Sequence, residues 1–404
     1  MIAVGAAVLS NAGSGGAATL GDPRLEAYFA SRSAVPGRTA TLLVRGPSGT
    51  RADVQVFHVG LNARRADRSN SITGVPVSNV RTVDVGANWR RVSIPVWHWP
   101  SGLYFARVRA TRQRSAVAPL VVRAGSFARP RVAVVIPTNT WQAYNRRDDD
   151  GDGDADSWYF NDSVSTVGLD RPYHDKGVPP FYREYDQPLI AWLARSGKRA
   201  DFLSDDDLDR FSSELLIKLY DLVVFAGHEE YVTTHAYDVI EQFRDAGGNV
   251  LFSSANNFFY RVIRNGETLT RAGRWRDLGR PEAALVGVQY VGWYENSYSN
   301  APYVVTASAD APWLFRGTGL VDGAQFGTFG IEVDARAPSS PPQTRVLAVA
   351  RNIFGPGTSA EMTYYTTSAG AKVFAAGVLN FGGSAWSSTV AVMLENLWAT
   401  LSRP

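Results

Sequence analysis

The sequence predicts two domains in tandem, an all-β sandwich followed by a doubly wound α/β domain. Three observations predict it. Between residues 22 and 128, short runs that alternate apolar and polar residues recur between turn residues; from Arg131 the runs become almost wholly apolar and β-branched; and these later runs alternate with amphipathic helical segments. At 404 residues, 45% apolar and 20% charged, the chain is long enough for two or three separate cores.

The alternating runs are residues 41–44, 54–58, 81–85, 91–96, 103–108 and 117–122. A period of two turns every second side chain to one face, so each run buries one face against a facing sheet, and this spacing is that of an immunoglobulin-like sandwich. No constellation of ionisable groups accompanies them. Trp97 and Trp99, which flank His98, read as packing residues rather than a sugar platform, because large aromatic side chains mostly bury area. Residues 126–130 break the pattern, which divides the chain into a leader (1–21), the sandwich (22–128) and the α/β domain (129–404).

In the second domain, residues 131–136 (RVAVVI) are the first buried strand. Residues 188–196 put Leu189, Ile190 and Leu193 on one helical face and stop at Gly197, after which residues 200–203 resume as a strand. Residues 221–226 (DLVVFA) are the next strand, 236–246 a helix with Val239, Ile240 and Phe243 inward, and 249–253 the strand after it. Residues 372–376 and a helix over 389–401, with Val390, Met393, Leu394, Leu397 and Leu401 at helical spacing, close the domain. Such alternation predicts parallel strands joined by right-handed crossovers. Residues 258–370 mix turns and short strands and read as an elaboration around the sheet's edge.

The net charge of +3 comes from 41 basic residues scattered among 38 acidic ones, so nucleic acid is not an expected partner. Absence of cysteine excludes disulfides, thiolate metal sites and cysteine nucleophiles. The apolar residues 2–9 and the small residues 11–19 read as a signal peptide cleaved near Ala18, although without a basic start, and predict a secreted, periplasmic or extracellular protein; a Gly/Ala leader with no targeting role is the other reading. No later segment has about 18 uninterrupted apolar residues, so no membrane span is expected.

Ligands of an open α/β sheet bind outside the carboxyl ends of its strands, so the residues that follow each strand matter most. They are PTNTWQAYN (137–145), GHEEY (227–231) and SANN (254–257). Where a structural turn would carry Gly, Pro, Asp or Ser, each of these loops offers hydrogen-bonding or ligating side chains: Tyr144 and Asn145, then His228, Glu229, Glu230 and Tyr231, then Asn256 and Asn257. Metal ligation or acid–base chemistry is one reading. The other is a satisfied buried His228, with Glu229 or Glu230 capping the following helix. A glutamine-amidotransferase-like site would set an activated cysteine on the turn after DLVVFAG, and this turn has His228 and carboxylates instead.

Taken together, PTNTWQAYN, PFYREYD, YDLVVFAGHEEY and GGNVLFSSANNFFYRV resemble the carboxyl-terminal catalytic domain of the N,N-dimethylformamidase large (beta) subunit family, from about Arg131 onward. The resemblance implies a class I glutamine amidotransferase-like form of the doubly wound fold and hydrolysis of an amide C–N bond. It also implies a mononuclear iron(III) held by Tyr144, Tyr185 and Glu230, with His228 and Asn256 matching an active-site histidine and asparagine, and Glu295 matching a further glutamate.

That implied ligand set is chemically coherent, because a hard trivalent ion favours anionic oxygen donors and makes sense of phenols that otherwise titrate near pH ~10. Three protein ligands leave open positions, where the metal polarises an amide carbonyl and acidifies water. The implied roles are proton transfer for His228 and Glu295 and orientation of substrate or oxyanion for Asn256. The family's large subunit is longer and works with a small partner subunit, whereas this chain has an export-like start and only a short sandwich. These departures leave the amide unnamed, since a shared fold supports a mechanism more than a molecule. A small-molecule amide is the expected substrate, with a small partner subunit or a homo-oligomer as the protein partners.

The run Asp148, Asp150, Asp152, Gly153 and Asp156 fits D-x-D-x-D-G-x-x-D, which gathers carboxylates around a glycine turn as calcium loops do, with Tyr159 where an EF-hand carries its bidentate glutamate. Calcium here would brace the loop beside Tyr144. A solvated acidic loop is the other reading. Asp205, Asp206 and Asp207 follow Ser204 and read as a helix cap.

The leading expectation is an iron-dependent amidohydrolase. An exported binding or scaffold protein that keeps the fold without the chemistry is the alternative. Occurrence of Tyr144, Tyr185, His228, Glu230 and Asn256 in one chain weighs for the enzyme. A third reading substitutes zinc, or a carbohydrate substrate, but zinc prefers nitrogen and sulfur donors.

Overall fold

The computed structural model describes residues 24–64, 70–110, 114–125, 131–293 and 300–403. The leader (1–21), the boundary segment (126–130) and Glu295 lie outside the described residues.

Glu26–Phe29, Arg38–Arg45 and Arg90–Val96 form one antiparallel sheet. The strands Ser33–Ala34, Ser115–Val122, Gly102–Arg109, Thr50–Val59 and Gly74–Pro76 form a second, with Arg81–Val85 also pairing on Thr50–Val59. Period-2 sequence becomes period-2 burial: along Arg90–Val96, Val92, Ile94 and Val96 point inward and the residues between them outward. They meet Leu42, Val44, Val54, Val56 and Val108 in one core. Trp99 is buried and stacks on Tyr104, whereas Trp97 is 64% exposed, because the inward turn of Val96 sends the next side chain out. Thus only one of the two tryptophans packs.

The second sheet is covered on its other face as well. Phe57, Val59, Leu103, Phe105 and Val121 share an apolar cluster with Leu189, Ile190 and Leu193 of the helix Gln187–Arg195, so the sandwich and the following region are joined through a common core. Polar contacts reinforce the seam: Arg32 binds Asp206 and Glu267, and Ser33 donates to Asp207 at 2.8 Å.

A nine-stranded sheet dominates the remainder. Five of its strands are parallel, in the spatial order Asp201–Ser204, Val132–Ile136, Leu222–Phe225, Asn249–Phe252, Lys372–Ala375. Every residue of Val132–Ile136, Leu222–Phe225 and Asn249–Phe252 is buried, which is why these stretches read as continuous apolar runs. From Val132–Ile136 the chain winds outward to Asp201–Ser204, then returns to the other side at Leu222–Phe225. The switch point therefore lies between Val132–Ile136 and Leu222–Phe225, and a crevice opens beyond their carboxyl ends.

Beyond Lys372–Ala375 the sheet continues antiparallel through Ala360–Thr366, Arg345–Ala350, Ala301–Val305 and Gln325–Phe329. These strands come from the irregular stretch 258–370. Two smaller sheets also draw on it: Thr166–Gly168, Thr268–Arg274, Tyr260–Asn265 and Tyr231–Thr233, and the pair Gln289–Trp293 with Glu332–Ala335. The principal helices, Gln187–Arg195, Thr234–Asp245 and Ser388–Leu401, bury the faces carrying Leu189 and Ile190, Val239 and Phe243, and Met393 and Leu397.

Candidate active site

The switch point joins two strand ends. After Val132–Ile136 the chain enters the short helix Thr138–Ala143, which ends at Tyr144; after Leu222–Phe225 it runs through Gly227 to His228, Glu229 and Glu230 before pairing again as Tyr231–Thr233. A side chain at Gly227 would run into the Asp186 carboxyl, so this turn accepts one only if that carboxyl moves. Asp205 caps the helix bearing Tyr144, accepting from the Asn139 N–H at 2.7 Å and from Thr138 Oγ1 at 3.1 Å. Thr140 Oγ1 accepts the Glu230 N–H at 3.1 Å and Asn139 donates to the Tyr231 carbonyl at 3.2 Å, which stitches the two ends together.

Within the crevice the Tyr144 hydroxyl donates to Glu230 Oε2 at 2.6 Å. His228 Nε2 lies 3.6 Å from that same oxygen and 3.3 Å from Glu332 Oε2, within ion-pair reach but without hydrogen-bond alignment. The rings of Tyr144 and Tyr185 stand edge-on to the His228 imidazole, with centroids 5.5 and 6.4 Å away. Asn256 lines the same cavity as Tyr144, Glu230 and Glu332; both oxygens of Asp334 accept its backbone N–H, at 2.9 and 3.0 Å. All five residues are buried. The structure thus gathers Tyr144, Tyr185, His228, Glu230 and Asn256.

Glu332 escaped the sequence reading. It starts the strand Glu332–Ala335, opposite Trp293, and nothing in the alternation of GIEVD separates it from a residue on an ordinary half-buried strand. Its neighbour Ile331 has φ 73°, a genuine outlier for a β-branched residue. Phe181 (55°) and Asn256 (54°) are held in the same left-handed region; Asn256 lines the crevice, Phe181 packs on Tyr144 and Tyr185, and Ile331 packs in the small cluster around Tyr185. Strain of this kind persists only where surrounding structure over-determines it, and it clusters at functional sites.

Electrostatics distinguish the crevice from ordinary core. Burial, the largest influence on His228, disfavours the imidazolium, yet the carboxylates of Glu332, Glu230 and Asp334 prevail and raise its pKa to about 9. Burial, with help from Glu332, raises Glu230 to about 7 against the opposing pull of His228 and Tyr144. Burial and then the charges of Glu230 and Glu332 push the Tyr144 phenol well above its ordinary value. More acidic groups converge here than one imidazole balances. Both ring nitrogens of His228, Glu332 Oε2 and Asn256 Oδ1 are buried without a hydrogen-bond partner, a costly state for a purely structural cluster. Two phenols and a carboxylate are hard oxygen donors, so the residues present fit a trivalent cation.

The acidic loop adjoins this site. Asp148, Asp150 and Asp156 bring carboxylate oxygens within 4.8 Å of one another, while Asp152 instead accepts the Asp154 N–H at 2.8 Å. Asp148 closes the turn by accepting from Gly151 at 2.6 Å and Gly153 at 3.0 Å. Buried Arg171 ties the loop to the Tyr144 helix: it donates to Asp149 at 2.7 Å, the Asp156 carbonyl at 2.8 Å and the Gln142 carbonyl at 2.9 Å. Ser204 forms a capping box with Asp207, while Asp205 caps the Tyr144 helix and Asp206 binds Arg32 and Arg264.

A cavity of about 1510 Å³ opens from the crevice and is walled on one side by Arg24, Glu26 and Arg114 of the sandwich. Among the described residues no helix is long and apolar enough to cross a membrane.

A model of the family described as N,N-dimethylformamidase beta subunit-like, C-terminal, matches residues 53–389. The match starts inside the sandwich, well ahead of the first motif that suggested it. The N,N-dimethylformamidase beta subunit of Alcaligenes sp is 24% identical over 295 residues, covering 56% of this chain and 38% of that subunit. Solved structures with partial likeness include the beta-glucosidase from Listeria innocua (TM-score 0.16, 12% identity, 25% of this chain and 16% of that one). Another is a cycloisomaltooligosaccharide glucanotransferase from Paenibacillus sp. (TM-score 0.20, 9% identity, 88% and 69%). Likenesses this slight say nothing about the chemistry of this chain.

Proposed function

We propose a function from one premise: the chain belongs to the N,N-dimethylformamidase beta subunit-like, C-terminal family. The reading is that it hydrolyses an amide C–N bond, with iron(III) held by Tyr144, Tyr185 and Glu230. What carries it is the contact series Tyr144–Glu230–His228–Glu332 at the switch-point crevice. When bound, the ion supplies a Lewis acid for the amide carbonyl and acidifies water beside it.

The remaining chemistry falls to this chain's own groups. His228 stands between two carboxylates that favour its protonated form, so it is suited to deliver a proton to the departing amine. Glu332, 3.3 Å from His228 Nε2, is suited to accept the proton lost by water and return it through the imidazole. The carboxamide of Asn256, whose backbone is anchored on Asp334, orients the substrate carbonyl as charge develops on its oxygen. Burial keeps bulk water from screening these contacts. The matched relative is named a beta subunit, so a small partner subunit belongs to the proposal as well.

Turnover assays on iron-loaded protein, reading amine released from simple amides, test this reading. His228→Ala should keep iron and lose turnover, and Glu230→Ala should lose both. Retained turnover in the two variants would overturn it.

A further inference from the structure

Resting on that reading, we infer a substrate class: an amide whose non-reacting part is aromatic and carries a carboxylate, held between two aromatic walls and anchored on Arg271.

Size is the first observation. The cavity, at about 1510 Å³, exceeds the ~300–1,000 Å³ usual for small-molecule sites, and a dimethylated formamide would leave most of it unfilled.

Two aromatic series leave Tyr144 and run along this cavity. In one, Tyr144 packs on Tyr159 at 4.7 Å between ring centroids, and Tyr159 on Phe160 at 4.7 Å. In the other, Tyr144 meets Tyr231 at 6.2 Å, and Tyr231 stacks on Tyr260 at 5.4 Å with the rings 5° apart. Phe160 and Trp293, both cavity-lining, are each 41% exposed, an unusual outlay of large apolar side chains unless something covers them.

Each series ends in an arginine. Arg146 lies over Phe160 at 4.2 Å, and Arg271 over Tyr260 at 5.3 Å and Trp158 at 5.9 Å. Among the described residues neither has a carboxylate partner; the Arg271 guanidinium donates to the Asp162 carbonyl, at 3.3 Å. The cavity's own Glu26 is taken up by Arg45 and Arg147, and its Arg274 by Asp277. Arg271 is the half-buried one of the two, wedged against rings that cut its hydration, and a guanidinium so placed holds a planar carboxylate through paired N–H donors. With the scissile amide at Glu230 and His228, the walls take the aromatic part and Arg271 its acid.

Binding measured by calorimetry on the full chain, with 4-carbamoylbenzoate and benzamide as probes, tests this. 4-Carbamoylbenzoate should bind at least about tenfold tighter than benzamide, and Arg271→Gln should remove that advantage while leaving benzamide affinity unchanged. Arg271→Lys should retain part of it. Equal affinities for 4-carbamoylbenzoate and benzamide, or an Arg271→Gln variant that weakens both alike, would overturn the inference even if small amides are hydrolysed. Selective binding of 4-carbamoylbenzoate without hydrolysis of any amide would instead overturn the amidase reading and leave the cavity's selectivity standing.

Discussion

Tyr144 and Glu230, 86 residues apart in the chain, meet in a buried 2.6 Å hydrogen bond at the switch point of the parallel sheet. The contact exists because the strand ends that carry them are neighbours, and it brings the phenol and carboxylate within reach of His228. In the proposed function both oxygens face the same cation.

Glu332 is the residue whose removal separates proton transfer from metal binding. Glu332→Gln should leave iron content unchanged while lowering kcat by about 10²–10⁴-fold, the range of a lost acid–base group. Metal analysis beside steady-state kinetics checks this, and parallel loss of iron would instead make Glu332 a ligand.

Gly227→Ala should destabilise the protein by about 1–3 kcal/mol in denaturant unfolding, because the added methyl group meets the Asp186 carboxyl. Asp186 also accepts from the Trp141 indole at 3.1 Å, so the collision has little room to relax, and the displaced turn should carry His228 with it. Unchanged stability and activity would contradict this account of the turn.

Arg171→Met should cost about 2–4 kcal/mol and reduce iron occupancy. The substitution leaves the Gln142 and Asp156 carbonyls without their guanidinium donor and Asp149 held by Arg147 alone, so the acidic loop loses its tie to the Tyr144 helix. Thermal melting and metal content, measured together, check both effects.

Asp201 supplies a pH dependence remote from the crevice. Burial raises its pKa from 3.8 to about 6, against the opposing hydrogen bond from Tyr220. The unfolded chain therefore ionises first. Stability contributed by the protonated form is present below the ordinary value, falls as pH rises toward about 6, and stays constant above it. Such a displacement corresponds to at most about 3 kcal/mol, so Asp201→Asn, which keeps an acceptor for Tyr220, should be about 1–2 kcal/mol more stable than the parent at pH 7 and equal to it near pH 3. Unfolding curves at both pH values decide.

Strands buried on both faces were legible because that environment demands continuous apolar sequence, as in Leu222–Phe225 and Asn249–Phe252. The helices Thr234–Asp245 and Ser388–Leu401 announced themselves by periodicity. Pairings such as Gln289–Trp293 with Glu332–Ala335 did not, since they join segments 40 residues apart whose composition is that of any short strand, and with them Glu332 stayed hidden. Tyr185 shows a different limit. Tyr182, one turn earlier in PFYREYD, is wholly buried, and no spacing rule tells which of the two rings turns toward His228; family resemblance pointed to Tyr185, and the 6.4 Å ring contact is what the fold adds.

The most direct test of the central claim is the iron content and visible absorption of the purified protein. Phenolate oxygen on iron(III) gives a charge-transfer band, so the account predicts stoichiometric iron and a coloured protein, with the band diminished in Tyr144→Phe and in Tyr185→Phe. Protein that is colourless, metal-free and unable to take up iron would contradict it.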